Sequence, residues 1–285
     1  MKVFDCHSHW ATPGHSNLRS DEDWQHAKAV FGADRFEMTD DEQAAYFAQH
    51  QACAIMDLSY TKELPIEQMR VDHDYAVAFE KRFPDVVAGH WLQFQPWRMQ
   101  ESLEEFERVA AASTGFVGFC VNGQTTGVPP GDPSWYPIYE RSLELDRPVM
   151  ILCGLTGIGQ GHPGGKGIVL DNGHPRHVDA VAARYPYLRI LAARPAYPWQ
   201  DEMIAVLLHK ANVSYELHGW GPKHLSPALK REIGTRLQDR IMFGCDFPTL
   251  RFEYLVEAWL REGYSSDVIA KLFHRNAERY FGSQS

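Results

Sequence analysis

Two histidines separated by one residue stand near the start of the chain, in the segment Asp5-Cys6-His7-Ser8-His9. The apolar residues Val3 and Phe4 precede this segment and suggest a short strand. Side chains on a strand alternate between its two faces, so His7 and His9 point the same way in extended backbone. Two imidazoles at the end of a strand can form half of a divalent-metal site. A hydrogen-bonded pair of histidines without a metal is the structural alternative.

Short apolar segments alternate with helix-like segments along the whole chain. Continuous apolar strands between helices are typical of a parallel sheet that is covered on both faces. Eight such units favour closure into a (β/α)8 TIM barrel over an open doubly wound sheet. We therefore predict one α/β domain over residues 1–285. The predicted strands are Lys2–Cys6, Ala52–Leu58, Val86–Gln93, Gly115–Val121, Pro148–Gly154, Leu188–Arg194, Asn212–Leu217 and Arg240–Gly244.

Two segments are too long for ordinary connections. His9–Phe36 follows the first predicted strand, and the glycine-rich segment Leu155–His174 follows the fifth. Long loops in a compact domain are usually lids or binding loops. In a TIM barrel both would emerge at the C-terminal face, where the active sites of this fold lie.

The same face collects the residues that end each predicted strand. His7, His9 and Asp246 could hold a zinc-like ion with positions left open for water and substrate. Asp246 could also accept a proton from metal-bound water. Glu216 and His218 share one side of the seventh strand. The remaining candidates are Asn122 on strand four, Leu152 or Cys153 on strand five and Arg194 on strand six.

Charge and composition limit the classes of molecule that the protein could bind. The formal net charge of -9 disfavours nucleic acid and anionic membranes as partners. No apolar run approaches the roughly 18 residues of a membrane span, and no signal peptide is visible. The five cysteines are widely spaced, as expected of reduced thiols. The sequence predicts a cytoplasmic protein that acts on a small anionic molecule.

Several motifs in this order resemble the amidohydrolase superfamily, in the branch that includes aminocarboxymuconate-semialdehyde and γ-resorcylate decarboxylases. The resemblance implies a (β/α)8 barrel in which His7, His9 and Asp246 bind a single divalent ion. It also implies a possible homodimer. The motifs are Asp5-Cys6-His7-Ser8-His9, Gly115-Phe116-Val117-Gly118, Arg147-Pro148-Val149-Met150-Ile151, Tyr185-Pro186-Tyr187-Leu188-Arg189-Ile190, Asn212-Val213-Ser214-Tyr215, Phe243-Gly244-Cys245-Asp246-Phe247-Pro248 and Asn276-Ala277-Glu278-Arg279-Tyr280-Phe281-Gly282.

The chain departs from this branch at two positions. Leu152 stands where the branch has a metal-ligating histidine on strand five, and Arg194 stands where it has a histidine on strand six. One divalent metal, with zinc expected, could remain on His7, His9 and Asp246. Water would then complete its coordination, or a replacement would come from His162, His174 or His218. Alternatively the metal is lost, and the histidines, Asp246 and Arg194 transfer protons themselves.

The departures make hydrolysis the first expectation from sequence. The predicted enzyme cleaves an activated carbonyl, of C–C, thioester, ester or amide type, in a small aromatic or carboxylated metabolite. Asp246 would act as the base, Arg194 would hold the anionic part of the substrate, and His218 would be the third catalytic residue. A metal-dependent non-oxidative decarboxylase of an aromatic or related carboxylic acid is the second hypothesis. A metal-free barrel that binds a ligand is the third.

Overall fold

The computed structural model describes residues 1–16, 21–32, 36–58 and 64–282. Eight parallel strands form one sheet in chain order, and helices lie between them. The strands are β1 (Val3–Ser8), β2 (Ala52–Asp57), β3 (Val87–Gln93), β4 (Phe116–Val121), β5 (Val149–Leu152), β6 (Ile190–Ala193), β7 (Val213–Glu216) and β8 (Ile241–Met242).

Backbone hydrogen bonds join the last strand and the loop after it to the first strand. The N–H of Cys6 donates to the carbonyl of Phe243 at 3.0 Å, and the N–H of Asp246 donates to the carbonyl of His7 at 2.8 Å. The N–H of His9 donates to the carbonyl of Phe247 at 2.7 Å. These bonds close the sheet, so the predicted (β/α)8 TIM barrel is confirmed and the open doubly wound alternative is wrong.

The second helix begins at a capping motif that is visible in the sequence, Thr39-Asp40-Asp41-Glu42. The N–H of Glu42 donates to the Thr39 hydroxyl at 3.2 Å, and the N–H of Thr39 donates to the Glu42 carboxylate at 2.8 Å. This reciprocal pair is the capping box that starts the second helix. The helices are α1 (Asp21–Phe31), α2 (Asp40–Gln49), α3 (Ile66–Arg82), α4 (Met99–Ala112), α5 (Gly123–Thr126), α6 (Tyr136–Glu144), α7 (Pro175–Arg184), α8 (Gln200–His209), α9 (Pro227–Ile233), α10 (Phe252–Leu260), α11 (Ser266–Ala270) and α12 (Asn276–Phe281), with a π-helical stretch over Lys271–Arg275 and 3-10 turns over Pro96–Arg98, Pro133–Trp135, Pro163–Gly167, Leu170–Gly173 and Pro222–His224.

Alternate residues of the strands fill the barrel interior with apolar side chains. This interior cluster is separate from the larger core between the sheet and the helices. On several strands the next inward position toward the C-terminal end is polar. The apolar layer therefore forms a floor beneath a polar mouth. Members of the interior cluster include Cys6, Ile55, Trp91, Cys120, Met150, Leu152, Leu191, Ala193 and Met242.

The two long connections emerge at the mouth, as predicted, and the structure adds that they contact each other. The loop after β1 carries α1, although residues 17–20 and 33–35 of it lie outside the described part of the chain. His26 of α1 lies 3.2 Å from the carbonyl of Gly157, measured from its Nε2 atom. The Nε2 atom of His162 lies 3.0 Å from the Nδ1 atom of His26. The loops after β1 and β5 therefore contact each other directly.

All five cysteines are free thiols, and four of them are buried. This agrees with the expectation of reduced thiols. Among the residues that the structure describes, no helix combines the length and the apolar composition that crossing a membrane requires.

Candidate metal centre and active site

A β-bulge in β1 turns the two N-terminal histidines toward the barrel mouth. The pairing of β1 with β2 shifts by one residue between Asp5 and Ser8. Before the shift Cys6 packs in the interior cluster, so strict alternation would place Ser8 inside and His7 outside. The additional residue reverses this alternation, as bulges beside active sites commonly do. His7 and His9 therefore share one side as predicted, but the bulge determines which side it is.

His7, His9 and Asp246 come together at the mouth. One potential ligand atom from each residue lies within 4.8 Å of the other two. The Nε2 atom of His9 lies 3.1 Å from the carboxylate of Asp246, and its Nδ1 atom lies 2.8 Å from the carbonyl of Asp57. Because a carbonyl can only accept, Nδ1 of His9 donates, and the ring is held with Nε2 directed at Asp246.

The donor set fits a divalent cation. Within the described ranges, the Nδ1 atom of buried His7 has no hydrogen-bond partner. A buried nitrogen without a partner is costly unless another group, such as a metal ion, satisfies it. Two imidazoles and one carboxylate are ligands that zinc and other divalent transition metals accept. Asp246 is the most exposed of the three, so the open side of the group faces the mouth.

The charges of the group also favour a cation. Burial lowers the pKa of His7 well below its usual range, and the neighbouring His218, His9 and Arg194 lower it further. His7 is therefore neutral, which is the form that binds metals. Burial would also lower the pKa of His9, but the hydrogen bond and charge of Asp246 outweigh it and raise this pKa to about 8. A bound cation would replace the proton between His9 and Asp246.

Asp57 and Gln93 support His7 from the neighbouring strands, and the sequence analysis missed both. An oxygen of Asp57 lies 3.3 Å from Nε2 of His7 and accepts a hydrogen bond from the Gln93 amide at 2.9 Å. Burial raises the pKa of Asp57 to about 6. The two residues end β2 and β3. Polar residues at the ends of predicted strands point to Asp246, and the same signal at the ends of the second and third strands points to Asp57 and Gln93.

The end of β7 contributes a buried pair, Glu216 and His218. The His218 ring stacks on the His7 ring with centroids 3.6 Å apart and planes 13° apart. The Glu216 carboxylate contacts Nδ1 of His218. His7, Glu216 and His218 form a second group whose potential ligand atoms lie within 4.8 Å of one another. His7 thus belongs to both groups.

Arg194 lies at the mouth, directly after the end of β6. Its Nε atom donates to the carbonyl of Cys153 at 3.3 Å, and one of its Nη atoms donates to the side-chain oxygen of Gln124 at 3.4 Å. Burial lowers the pKa of Arg194, and the nearby carboxylate of Asp246 opposes this shift. Because the pKa of an unperturbed guanidinium lies above 12, Arg194 remains a cation and can pair with a substrate anion.

Arg194 and Asp246 adopt left-handed backbone conformations, with φ angles of 57° and 65°. Residues other than glycine adopt this region rarely, at a cost of about 1–3 kcal/mol each. Both follow the end of a strand, where the reversed backbone turns their side chains toward the mouth. Strain of this kind clusters at functional sites.

Strand five provides no metal ligand. Leu152 is its last residue and is buried in the interior cluster. The Cys153 thiol donates to the carbonyl of Ile151 at 3.3 Å, and burial raises its pKa to about 12. Cys153, a candidate site residue from the sequence, is therefore a buried thiol and not a nucleophile, since a nucleophile needs a lowered pKa.

Two of the three histidines considered as replacement ligands have other partners. His162 pairs with His26 between the two long loops. Nδ1 of His174 accepts the N–H of Arg176 at 3.1 Å at the start of α7. Of these three histidines, only His218 contacts a residue of the ligand group, through its stacking on His7. The side chain of Asn122, a further candidate from the sequence, accepts the N–H of Thr125 at 3.2 Å and so caps the short helix α5.

Comparison with known proteins identifies a family and supports the fold. A model of the amidohydrolase family matches residues 4–283. The chain is similar to an uncharacterized TIM-barrel protein, Bb4693, from Bordetella bronchiseptica, with a TM-score of 0.77, 18% identity and 99% of each chain covered. It is similar to the 2,6-dihydroxybenzoate decarboxylase from Rhizobium, with a TM-score of 0.74, 16% identity and coverage of 100% of this chain and 99% of the other.

A third similar structure contains a metal. It is the 5-carboxyvanillate decarboxylase from Novosphingobium aromaticivorans, complexed with manganese and 4-hydroxy-3-methoxy-5-nitrobenzoic acid. Its TM-score is 0.70 and its identity is 16%, over 99% of this chain and 96% of that chain. A search of curated proteins found no match.

Proposed function

This chain belongs to the amidohydrolase family, and we propose that it is a metal-dependent decarboxylase of an aromatic or related carboxylic acid. The observation that carries the proposal is the arrangement of the mouth, where the cation of Arg194 lies near a group of ligands suited to a divalent ion. The sequence analysis ranked hydrolysis first. Decarboxylases among the structurally similar proteins support the opposite order.

Each group of the mouth has a part in this proposal. His7, His9 and Asp246 would hold the ion, which when bound supplies a positive charge for the oxygens of the substrate. Arg194 pairs with a carboxylate of the substrate and orients it, because its planar guanidinium forms paired hydrogen bonds with carboxylates. Asp57, held by Gln93, keeps His7 in place.

The proposed reaction breaks one carbon–carbon bond and moves one proton. The bond between the substrate carbon and its carboxylate breaks, and carbon dioxide leaves. The electron pair of that bond stays on the substrate carbon, which takes up a proton. Asp246 would pass this proton on from water at the mouth, through the carboxylate oxygen that does not face His9, since its side chain is 19% exposed. Arg194 cannot supply the proton, because it remains protonated at physiological pH.

The metal is proposed as one divalent ion. Zinc was expected from the nitrogen and oxygen ligands, and manganese is the metal in the 5-carboxyvanillate decarboxylase structure. Zinc and manganese can both bind to two imidazoles and a carboxylate, so a measurement must distinguish them. The protein would be stripped with a chelator and then loaded separately with zinc or manganese.

The test measures release of carbon dioxide from hydroxybenzoates by the loaded protein. We expect turnover that disappears in the chelator and falls at least 100-fold in Asp246→Asn. Asp146→Asn is the matched control, because Asp146 also has a positive φ angle, of 49°, and lies at the other end of the barrel before β5. Full activity in the chelator, or near-normal rates in Asp246→Asn, would contradict the proposal.

Hydrolysis of an activated carbonyl is the second candidate. The exposure of Asp246 favours it, because water can reach this carboxylate from the mouth. Asp246 would then accept a proton from the attacking water, and Arg194 would hold the anionic part of the substrate. Product analysis separates the two reactions, since hydrolysis consumes water and releases no carbon dioxide. A barrel that only binds a ligand would convert neither class of substrate.

A further inference from the structure

The Glu216 carboxylate is buried at the end of β7, and both of its oxygens accept hydrogen bonds. One oxygen accepts the backbone N–H of Arg194 at 3.2 Å and also contacts Nδ1 of His218. The other accepts the backbone N–H of His218 at 2.9 Å. Glu216 has no exposed surface. With three N–H donors around it, this carboxylate has little capacity left to bind a metal ion itself.

The contacts of Glu216 determine the state of the His218 ring. A carboxylate that accepts from two backbone N–H groups also accepts from Nδ1, so Nδ1 of His218 carries a proton. In the neutral ring Nε2 then carries the lone pair. The described residues give Nε2 of His218 no hydrogen bond, whereas Nδ1 is fully engaged. A carboxylate behind a histidine is the usual support of an imidazole that binds a metal.

The chain is built to accommodate this pair. A side chain at Gly244 would overlap the Glu216 carboxylate and the Cβ atom of His218. Glycine at position 244, just after β8, therefore leaves the space that Glu216 and His218 occupy. On its other side, His218 stacks on His7, which belongs to the ligand group already described.

We propose that His218 supplies the nitrogen ligand that the leucine on β5 cannot supply, and that Glu216 is the positioning residue that presents its Nε2 atom. The inference rests on the proposed metal site. The metal would thus be held from β1, β7 and the loop after β8. Glu216 acts through His218 and does not touch the metal.

The first experiment reads the His218 ring directly in the unmodified protein. Histidine labelled with nitrogen-15 gives distinct chemical shifts for the two tautomers. The His218 signals are assigned among the 14 histidines by their loss in His218→Asn. We expect the neutral ring to be protonated on Nδ1 in the metal-free protein, and the Nε2 signal to change when metal is added. A ring protonated on Nε2, or an Nε2 signal unaffected by metal, would overturn the proposal.

The second experiment measures the affinity for zinc and for manganese by titration. His218→Asn keeps a donor near the position of Nδ1 but lacks Nε2, and Glu216→Gln removes the charge behind the ring. We expect both variants to bind metal at least 10-fold more weakly. Unchanged affinity in His218→Asn would overturn the proposal, and unchanged affinity in Glu216→Gln would overturn the role of Glu216.

Glu80→Gln is the control for the loss of a buried carboxylate. Glu80 is buried, lies 2.7 Å from Nε2 of His90 and accepts the N–H of Gly115 at 2.9 Å, so it repeats the arrangement of Glu216 away from the mouth. This control should lose stability without a change in metal affinity. Neither readout depends on turnover, so the proposal can fail while decarboxylation stands, or stand while decarboxylation fails.

Discussion

Replacing Gly219 by alanine should disturb the metal centre through a single methyl group. Gly219 has a φ angle of 75°, and a Cβ atom there would lie 3.1 Å from the Asp246 carboxylate. The left-handed backbone should cost about 1–2 kcal/mol of stability, or a few degrees of melting temperature. The close approach requires the carboxylate to move by a few tenths of an ångström. Ligand distances in metal sites tolerate about 0.2 Å.

We therefore expect Gly219→Ala to bind metal about 10-fold more weakly, which corresponds to about 1.4 kcal/mol. The assays are chemical denaturation of the metal-free protein and titration with zinc or manganese. Gly263→Ala is the matched control, because Gly263 has a φ angle of 78° but no atom within 4 Å of the added Cβ. Both variants should lose similar stability. Equal metal affinity in the two variants would refute the placement of Asp246 in the metal site.

Three further predictions concern substrate binding, the buried thiol and acid stability. Arg194→Gln should raise KM for a carboxylate substrate about 10- to 100-fold, as loss of a charged hydrogen bond predicts, and steady-state kinetics at constant metal loading measures it. Cys153→Ala should keep kcat within about twofold, because the buried thiol takes no part in the proposed reaction. A 100-fold loss of kcat would instead indicate that the thiol is a nucleophile. Burial would raise the pKa of Glu80, but hydrogen bonds from His90 and other donors hold it at about 2. Its stabilising contribution is thus present above pH 4.5 and is lost as the pH falls toward 2. Glu80→Gln should lower the slope of unfolding free energy against pH in this window, by up to about 1.4 kcal/mol per pH unit. Denaturant unfolding at several pH values measures this slope. An unchanged slope would contradict the stabilising role of the Glu80 carboxylate.

The barrel could be predicted from the sequence because its signals are local and repeated. Apolar segments such as Ala52–Leu58 alternate with helical segments, and the capping box at Thr39 marks a helix start. Five of the predicted strands, the second and the fifth to eighth, extend beyond the observed ones at their C-terminal ends, because the residues there turn toward the mouth instead of continuing the ladder. The third and fourth strands end where predicted, and β1 runs two residues further, to Ser8, since its bulge keeps it paired with β2.

The details of the site depend on features that no local pattern reveals. The bulge in β1 comes from pairing with β2, which is distant in sequence. The positive φ angles of Arg194 and Asp246 could not be predicted from residue type, since residues other than glycine adopt them rarely, and they depend on the turns of the closed barrel. Asp57 and Gln93 are different, because polar residues at strand ends are visible in the sequence. They could have been predicted with the rule that identified Asp246.

The missing histidines of strands five and six define what is distinctive in this chain. Leu152 completes the apolar floor of the mouth, and Arg194 adds a fixed positive charge. A cation beside a metal ion is repelled unless an anion lies between them. The mouth is therefore suited to an anionic substrate, in keeping with both proposed reactions.

Anomalous diffraction from crystals of the manganese-loaded protein tests the central claim most directly. The account predicts one strong peak within bonding distance of His7, His9 and Asp246, with His218 as a further nitrogen ligand. A fully loaded protein without a peak at these residues, or with its metal bound elsewhere, would contradict it.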